Sequence, residues 1–278
     1  MFIAKTKQEI DQFTPRDRKV GFVPTMGALH EGHASLVTAS KLDGHFTVAS
    51  IFVNPTQFND PKDFEKYPVD TERDLEALEA AGCDLVFLPT RSEIYPSGTD
   101  LERYIHDFGA LENRLEGAFR PGHFRGVGQV VHILFEAVRP DVAYFGEKDF
   151  QQLQVIKQLV KQLNSAIEIK GMPTVREPDG LAMSSRNRRL TPTQRTASTL
   201  LYQALSRAAQ VLVEQGVDAA REQVKRSFEG NAHLRLEYFD IIDPVTFLPR
   251  KEGDSGTHHA VIAAYAGDVR LIDNLRLD

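Results

Sequence analysis

The first two-thirds of the chain alternates short apolar runs with helix-like patterns, and this alternation constrains the fold most strongly. Phe46–Val53 is the clearest buried-strand candidate, because it is rich in β-branched and aromatic residues. Strands that alternate with helices pair in parallel, so the pattern predicts a doubly wound α/β sheet. The predicted strands are Lys19–Val23, Phe46–Val53, Asp84–Leu88, Asp141–Phe145 and Ala166–Lys170, and the predicted helices are residues 33–42, a helix capped by Asp70 and ended by Gly82, Val127–Val138 and Lys148–Leu163.

The pattern changes after Met172, and the last third predicts a second, smaller α/β domain. Pro173 and Pro178-Asp179-Gly180 indicate a loop or hinge. Thr191-Pro192-Thr193-Gln194 matches a capping box, so we expect a long helix from there to about Gln215. We therefore divide the chain into domains 1–174 and 175–278. The remaining predicted elements are a helix at Asp218–Phe228 and strands at Arg235–Ile242, His258–Tyr265 and Val269–Asn274.

Charge and cysteine content narrow the class of protein. The chain of 278 residues has a net charge of −6 and a pI of about 5.9, which argues against a broad nucleic-acid-binding surface but not against a local basic pocket. Cys83 is the only cysteine, so no intramolecular disulfide or cysteine metal cage can form. No apolar run approaches the length of a membrane span, and the N-terminus lacks a signal-peptide pattern. These features predict a cytoplasmic protein without membrane or nucleic-acid partners.

Polar clusters follow three of the predicted strands. His30 and His33 follow one strand, Asn54 and Gln57 follow another, and residues 146–149 follow a third. Ligands of doubly wound sheets bind at the carboxyl ends of the strands. The three clusters therefore predict one polar site at that edge of the sheet.

The segment His30-Glu31-Gly32-His33 permits three interpretations. A zinc site is disfavoured, because the metalloprotease motif spaces its histidines four residues apart on a helix. The histidines could also be incidental to a helix start. In the third interpretation, Gly27 and Gly32 allow the backbone to approach a ligand, while the imidazoles and the helix N-terminus bind phosphate.

Further segments are ambiguous on their own. Residues 184–189 (Ser-Ser-Arg-Asn-Arg-Arg) could be solvated surface or could clamp a polyphosphate. Residues 146–152 could be an ordinary helix start, or could offer Lys148 to phosphate and Asp149 to sugar hydroxyls. Asn54 and Gln57 are either loop residues or ligands for a hydroxyl-bearing substrate. The basic, glycine-rich segment 120–128 lacks the P-loop pattern, and whether it lines an anion site or moves as a lid is left open.

Taken together and in this order, the segments resemble one family, the pantothenate synthetases or pantoate–β-alanine ligases. Pro24–His33 is similar to the HIGH signature of the HIGH-type nucleotidyltransferase superfamily, and Ser184-Ser185-Arg186 to the second, KMSKS-type signature. The likeness spans essentially the whole chain. Other segments similar to the family are Ile51–Phe58, Arg120–Val127, Phe145–Gln152 and Arg270–Asn274.

The resemblance implies an activity and an architecture. Pantoate, β-alanine and ATP would give pantothenate, AMP and pyrophosphate through pantoyl adenylate. The first domain would be a Rossmann-like ATP- and pantoate-binding domain. The second would be a smaller lid and dimer-associated domain that closes over the site, with a hinge near Pro173–Asp179. The resemblance also implies Mg²⁺ and a homodimer.

The resemblance also assigns roles to residues. His33 would be the proton donor, and His30, Lys148 and Arg186 would act with it in catalysis. Pantoate would be bound by Gln57 and Gln152, with Asn54 and Tyr67 in the same pocket. The ATP-binding residues would be Met26, Gly27, Ala28, Leu29, His30, Glu31, Gly32, His33, Gly146, Glu147, Lys148, Asp149, Val175, Met183, Ser184, Ser185 and Arg186.

Two other functions share part of this pattern. An adenylyl- or cytidylyltransferase of the HIGH type would have the same histidines and second signature, but would not need Gln57 and Gln152. A non-catalytic nucleotide- or RNA-binding module related to tRNA synthetases is disfavoured by the acidic balance of the chain.

Overall fold

The computed structural model of the chain describes residues 1–59, 61–98 and 100–277. These residues form two compact units, Met1–Pro173 and Thr174–Asp278.

The first unit is built on a parallel sheet. Among the described residues it has six strands in the order β1-β4-β3-β2-β5-β6, and all of the recorded pairings are parallel. The doubly wound, Rossmann-like fold predicted from the sequence is confirmed. The strands are β1 (Phe2–Ala4), β2 (Val20–Thr25), β3 (Phe46–Ile51), β4 (Leu85–Phe87), β5 (Val142–Gly146) and β6 (Glu168–Met172).

Helices connect these strands, and several of their ends are encoded locally. Asp70 caps its helix as predicted, because its carboxylate accepts a hydrogen bond from the backbone N–H of Arg73. Short 3₁₀ helices cover Pro55–Gln57, Glu102–Tyr104, Gly109–Glu112 and Glu147–Asp149. The α-helices are α1 (Lys7–Phe13), α2 (Glu31–Leu42), α3 (Pro61–Glu65), α4 (Thr71–Ala80), α5 (Arg91–Ile94), α6 (Glu116–Phe119), α7 (His123–Val138) and α8 (Phe150–Gln162).

Some predicted boundaries in this unit were wrong, for physical reasons. Helix α2 begins at Glu31 rather than at residue 33, because the His30 ring itself caps it. Helix α7 begins at His123 rather than Val127, so the glycine-rich segment supplies its first turn. Helix α8 begins two residues later than predicted, after the 3₁₀ turn Glu147–Asp149. Strand β1 was missed, because three residues are too short to show a period.

The second unit pairs helices with an antiparallel sheet, and its three described strands run in the order β7-β8-β9. Apolar residues of two long helices and of this sheet form one core cluster, which includes Leu205, Val224 and Ile262. A smaller α/β domain was predicted and is confirmed. Its elements are α9 (Pro192–Ala197), α10 (Leu200–Gln215), α11 (Val217–Phe228), β7 (Arg235–Ile242), β8 (His258–Ala266) and β9 (Val269–Leu277), with a 3₁₀ helix at Ser185–Arg189.

The predicted continuous helix from residue 191 to 215 is wrong. The capping box is present, since Thr191 and Gln194 exchange side-chain and backbone hydrogen bonds. The helix nevertheless breaks after Ala197. The Ser198 hydroxyl donates to the carbonyl of Gln194 at 2.7 Å and the Thr199 hydroxyl to that of Thr196 at 2.9 Å. Such back-bonding hydroxyls compete with the helical hydrogen bonds.

None of the helices in the described part of the chain combines the length and apolar character that crossing a bilayer would need.

Candidate active site

The three polar clusters follow strands that are neighbours in the sheet. Strand β2 lies between β3 and β5, so the segments after these strands leave from one edge. The first two are in direct contact, because the side-chain amide of Gln57 donates to the sulfur of Met26 at 2.9 Å. The third segment, residues 146–149, follows the adjacent β5. The fold therefore places the candidate residues of the first unit along one edge.

The imidazoles of His30 and His33 are held by backbone amides. The Nδ1 atom of His30 accepts from the N–H of Gly32 at 3.1 Å, and the Nδ1 atom of His33 accepts from the N–H of His30 at 3.3 Å. The ring centroids are 4.1 Å apart. Because each Nδ1 acts as an acceptor, the neutral rings carry their protons on Nε2. Each Nε2–H can then donate to a phosphate oxygen while the imidazole is uncharged.

The preceding residues do not offer their amides to a ligand. The backbone N–H groups of Ala28 and Leu29 each donate to a carboxylate oxygen of Asp74, both at 2.7 Å. Both residues are buried. We therefore no longer expect these two amides to bind phosphate, although both residues were among the predicted ATP ligands. The partly buried Gly32 and exposed Glu31 lie in the first turn of α2.

Asn54 is the centre of a buried hydrogen-bond network. Its side-chain oxygen accepts from the Tyr95 hydroxyl at 2.8 Å and from the Thr56 hydroxyl at 3.0 Å. Its amide nitrogen donates to Oε1 of Gln57 at 3.2 Å and to the carbonyl of Gly126 at 3.1 Å. The side chain is thus hydrogen-bonded inside the protein, and one of its partners is the side chain of Gln57. The buried Tyr67 packs edge-on against Phe58, the residue after Gln57.

The glycine-rich segment 120–128 packs against the segment that contains Gln57. Nδ1 of His123 donates to the carbonyl of Gln57 at 2.7 Å, and Arg120 donates to Nε2 of His123 at 3.0 Å. A Cβ atom at Gly126 would lie 2.4 Å from the carbonyl oxygen of Thr56, so glycine is required for this approach. The sequence carried the motif but not its role.

The burial of His123 leads to a prediction about how the stability of the fold depends on pH. Burial, with Arg120 nearby, lowers its pKa from 6.5 to about 3, against the opposing effect of its bond to Gln57. The unfolded chain therefore takes up a proton between these values that the folded chain does not, and stability falls as the pH falls below 6.5. Between about pH 7.5 and about pH 5 this linkage amounts to about 2 kcal/mol.

The variant His123→Asn keeps a donor for the Gln57 carbonyl but does not titrate. Urea unfolding of both proteins at the two pH values measures the difference. We expect the wild type to lose about 2 kcal/mol more than the variant on acidification. An identical loss in both proteins would contradict the buried neutral state of His123.

Lys148 lies in the 3₁₀ turn between β5 and α8, with Nζ 3.6 Å from the carboxylate of Asp149. Its side chain is 18% exposed, so its charge is partly withdrawn from solvent. At Gly146, a Cβ atom would meet no described protein atom within 4 Å. The backbone at this strand end is therefore open at Gly146, directly before Glu147, Lys148 and Asp149.

Two adjacent glutamines on α8 have different environments. The buried Gln151 donates to the carbonyls of Leu111 and Arg114, both at 2.8 Å, and accepts from the N–H of Glu116 at 3.1 Å. Gln152 is partly exposed, and no hydrogen bond of its side chain is recorded within the described residues. Gln151 therefore braces the preceding loops, while Gln152 is the one available to a ligand.

In the second unit, residues 184–189 follow a short hairpin, in which Arg176 and Ala182 form an antiparallel bridge. The N–H of Met183 donates to the carbonyl of Val175 at 3.0 Å, which joins two predicted ATP-binding residues. Ser184 caps the 3₁₀ helix by accepting from the N–H of Arg186 at 3.3 Å, and Ser185 is buried. The Pro178–Gly180 segment forms the turn of this hairpin, with the Gly180 N–H bonded to the Glu177 carbonyl.

Sequence reasoning assigned no role to the ion pair that anchors this hairpin. Arg176 donates to both carboxylate oxygens of Asp273, at 2.7 and 2.9 Å, and its guanidinium lies 4.1 Å from the centroid of the Tyr202 ring. Asp273 belongs to the segment 270–274, which resembled the family without a stated function. Its partner is 97 residues away, so no local pattern could reveal the pair.

Comparison with known proteins gives a consistent result over the whole chain. The family model described as pantoate-beta-alanine ligase matches residues 2–276. The pantothenate synthetase of Christiangramia forsetii is 45% identical over 273 residues, covering 98% of this chain and 96% of that protein. That of Bacteroides thetaiotaomicron is 44% identical over 275 residues, covering 99% and 96%.

Solved structures of the same family also superpose on this chain. The pantothenate synthetase of Thermus thermophilus superposes with a TM-score of 0.94 at 43% identity, covering 100% of this chain and 99% of that one. The pantoate-beta-alanine ligase of Francisella tularensis, complexed with beta-gamma ATP and beta-alanine, has a TM-score of 0.80 at 36% identity, covering 99% and 97%.

Proposed function

The chain belongs to the pantoate–β-alanine ligase family and is an enzyme, and we propose that it condenses pantoate with β-alanine at the expense of ATP. The products are pantothenate, AMP and pyrophosphate, and the intermediate is pantoyl adenylate. The ATP and β-alanine parts of this proposal are supported by the ligands of the Francisella tularensis relative.

Activation is needed because a carboxylate is a poor acyl donor. A pantoate carboxylate oxygen bonds to the α-phosphorus of ATP as the bond to the β-phosphate oxygen breaks, which releases pyrophosphate. The β-alanine nitrogen then attacks the acyl carbon, the acyl–phosphate C–O bond breaks, AMP leaves and the nitrogen loses a proton. The first step brings two anions together, so the protein must position them and offset their charge.

The observation that carries this proposal is the convergence of three different donor sets on one sheet edge. The Nε2–H groups of His30 and His33 suit phosphate oxygens, and Lys148 supplies a positive charge at the neighbouring strand end. The amides of Gln57 and Gln152 suit pantoate. Neutral amides can bind a carboxylate without pairing it so strongly that it loses nucleophilicity. Ser184, Ser185 and Arg186 of the second unit are assigned to the ATP phosphates.

Product analysis of the wild-type protein tests the reaction. We expect pyrophosphate release to require pantoate, and AMP release to require β-alanine in addition. An adenylyl- or cytidylyltransferase would instead release pyrophosphate with a phosphate-ester acceptor and would form no AMP with β-alanine. Absence of pantoate-dependent pyrophosphate would refute the proposal.

Gln152 is expected to act on pantoate more than on ATP. Replacing it with alanine removes a hydrogen-bonding amide from a substrate carboxylate or hydroxyl, and such a bond contributes about 1–3 kcal/mol. We therefore expect kcat/KM for pantoate to fall by about tenfold to a hundredfold. Gln158→Ala, a partly exposed glutamine farther along α8, is the matched control. Equal kinetics of the two variants would contradict the assignment.

Mg²⁺, the oligomeric state and the roles of the two units are part of the same proposal. The described residues contain no cluster of three or more histidine, cysteine or acidic side chains that could hold a metal ion. The donor set thus does not fit a protein-only Mg²⁺ cage, and we assign no step to one.

We propose that the first unit binds ATP and pantoate, that the second serves as a lid, and that the chain forms a homodimer. Sedimentation velocity tests the dimer. Proteolysis near Pro173 with and without ATP and pantoate tests closure.

A further inference from the structure

The turn that leads into His30 has a backbone conformation that residues other than glycine rarely adopt. Gly27 has a φ of +80° and Ala28 a φ of +52°. The left-handed region is unfavourable for alanine, because its Cβ approaches the following carbonyl oxygen. Gly27 adopts this region without strain, but Ala28 needs an outside interaction that compensates for it.

Asp74 supplies that interaction. It lies on α4 and is 2% exposed, and its two oxygens accept the N–H groups of Ala28 and Leu29, both at 2.7 Å. A Cβ atom at residue 27 would lie 2.8 Å from Oδ2 of Asp74, so the carboxylate also accounts for the glycine there. Charge-assisted hydrogen bonds of this kind are short and strong, and two together fix an orientation.

The position of Asp74 connects it with the histidines. The next amide after Leu29 is that of His30, which donates to Nδ1 of His33. Displacing the turn would therefore disturb the bond that keeps the His33 proton on Nε2. Burying a carboxylate without a basic partner is costly, and the recorded ion pairs of the described residues include none for Asp74. The carboxylate is kept because an apolar residue at position 74 would remove these acceptors from the buried N–H groups of Ala28 and Leu29, and the turn would lose what holds it.

We propose that Asp74 is a positioning residue of the ATP site, holding the turn at residues 27–29 so that the imidazoles of His30 and His33 are set to receive the phosphates. This inference rests on the proposed use of ATP. Asp74 touches no substrate in this proposal and acts through the turn.

The variant Asp74→Asn tests it, because asparagine keeps the size but presents an N–H₂ group to one of the two backbone amides. We expect adenylate formation in single turnover to slow by about tenfold to a hundredfold and KM for ATP to rise, since a small misplacement of a reacting group has effects of this size. KM for pantoate should change by less than about threefold.

Asp84→Asn is the matched control. Asp84 accepts from the N–H of Thr47 and from Lys41, each at 2.7 Å, and it precedes β4, at the opposite edge of the sheet. We expect this variant to lower the melting temperature and to leave KM for ATP unchanged. If the Asp74 variant shows ATP kinetics within about threefold of the wild type, or loses ATP and pantoate affinity equally, the proposal is overturned.

Two further measurements cover other outcomes. If Asp74→Asn does not fold, Asp74→Glu decides by the same criterion, since it keeps the charge and displaces the carboxylate by one methylene.

Long-range ¹H–¹⁵N NMR of the imidazoles gives a readout besides activity: we expect the Nε2–H form for His33 in the wild type and a mixture in the variant. An unchanged spectrum overturns the proposal. A wild type without ATP-dependent activity would refute the proposed function, whereas an active wild type beside an equally active variant refutes this inference alone.

Discussion

Replacing either His33 or Lys148 with alanine is expected to slow pantoyl-adenylate formation by about 10²–10³ while the fold is retained. In the first step negative charge gathers around the α-phosphorus and on the departing pyrophosphate. A positioned N–H donor and a fixed positive charge stabilise that arrangement more than they stabilise the separate substrates. His33 lies in the first turn of α2 and Lys148 in a short turn after β5, so neither is part of the hydrophobic core. The measurement is the rate of pyrophosphate release in a single turnover.

Matched controls are available for both residues. His233 and Lys157 are exposed residues of the same types, and alanine at either position should leave the rate unchanged. His33→Asn separates the two functions of the imidazole: asparagine can still accept the His30 amide at the Nδ1 position, but it has no donor at the Nε2 position. We expect this variant to be as slow as His33→Ala. Near-normal rates in the alanine variants would show that the assigned roles are wrong.

Local chemistry made much of the first unit predictable. The strand at Phe46 is buried along its whole length and rich in β-branched and aromatic residues, and Asp70 caps its helix through a partner three residues away, as Thr191 does in the second unit. The meeting of the polar clusters follows from parallel topology, because β2, β3 and β5 are neighbours. These features depend on short-range patterns and general rules of sheet geometry, so they can be inferred from one sequence.

The supporting residues of the site could not be predicted in this way. Asp74 acts on amides 45 and 46 residues away, and His123 on a carbonyl 66 residues away. In the sequence, Asp74 is one more acidic residue in the first turn of a helix, where such residues are common. Gln151 and Gln152 are neighbours of the same residue type, and only the packing of α8 shows that the side chain of Gln151 is hydrogen-bonded to backbone groups. Long-range pairing thus decides which polar residues remain available to ligands.

The ion pair between Arg176 and Asp273 is expected to have the largest effect on stability. The Asp273 side chain is 1% exposed and that of Arg176 17%, and two parallel N–H to oxygen bonds join them. Removing one partner of a buried pair leaves the other charge uncompensated, which costs about 3–5 kcal/mol. We expect Asp273→Asn to lower the melting temperature by roughly 10 °C. The hairpin that pairs Val175 with Met183 should lose protection from hydrogen exchange at the same time.

The same unit contains a control that differs mainly in burial. Asp179 also accepts two bonds from an arginine, Arg195, at 2.7 and 3.1 Å, but its side chain is 46% exposed. Solvent screens such a pair, and exposed ion pairs contribute at most about 1 kcal/mol. Asp179→Asn should therefore shift the melting temperature by no more than a few degrees, although the geometry is nearly the same. Equal shifts in the two variants would mean that pairing alone, rather than the burial of Asp273, determines the stability of the hairpin.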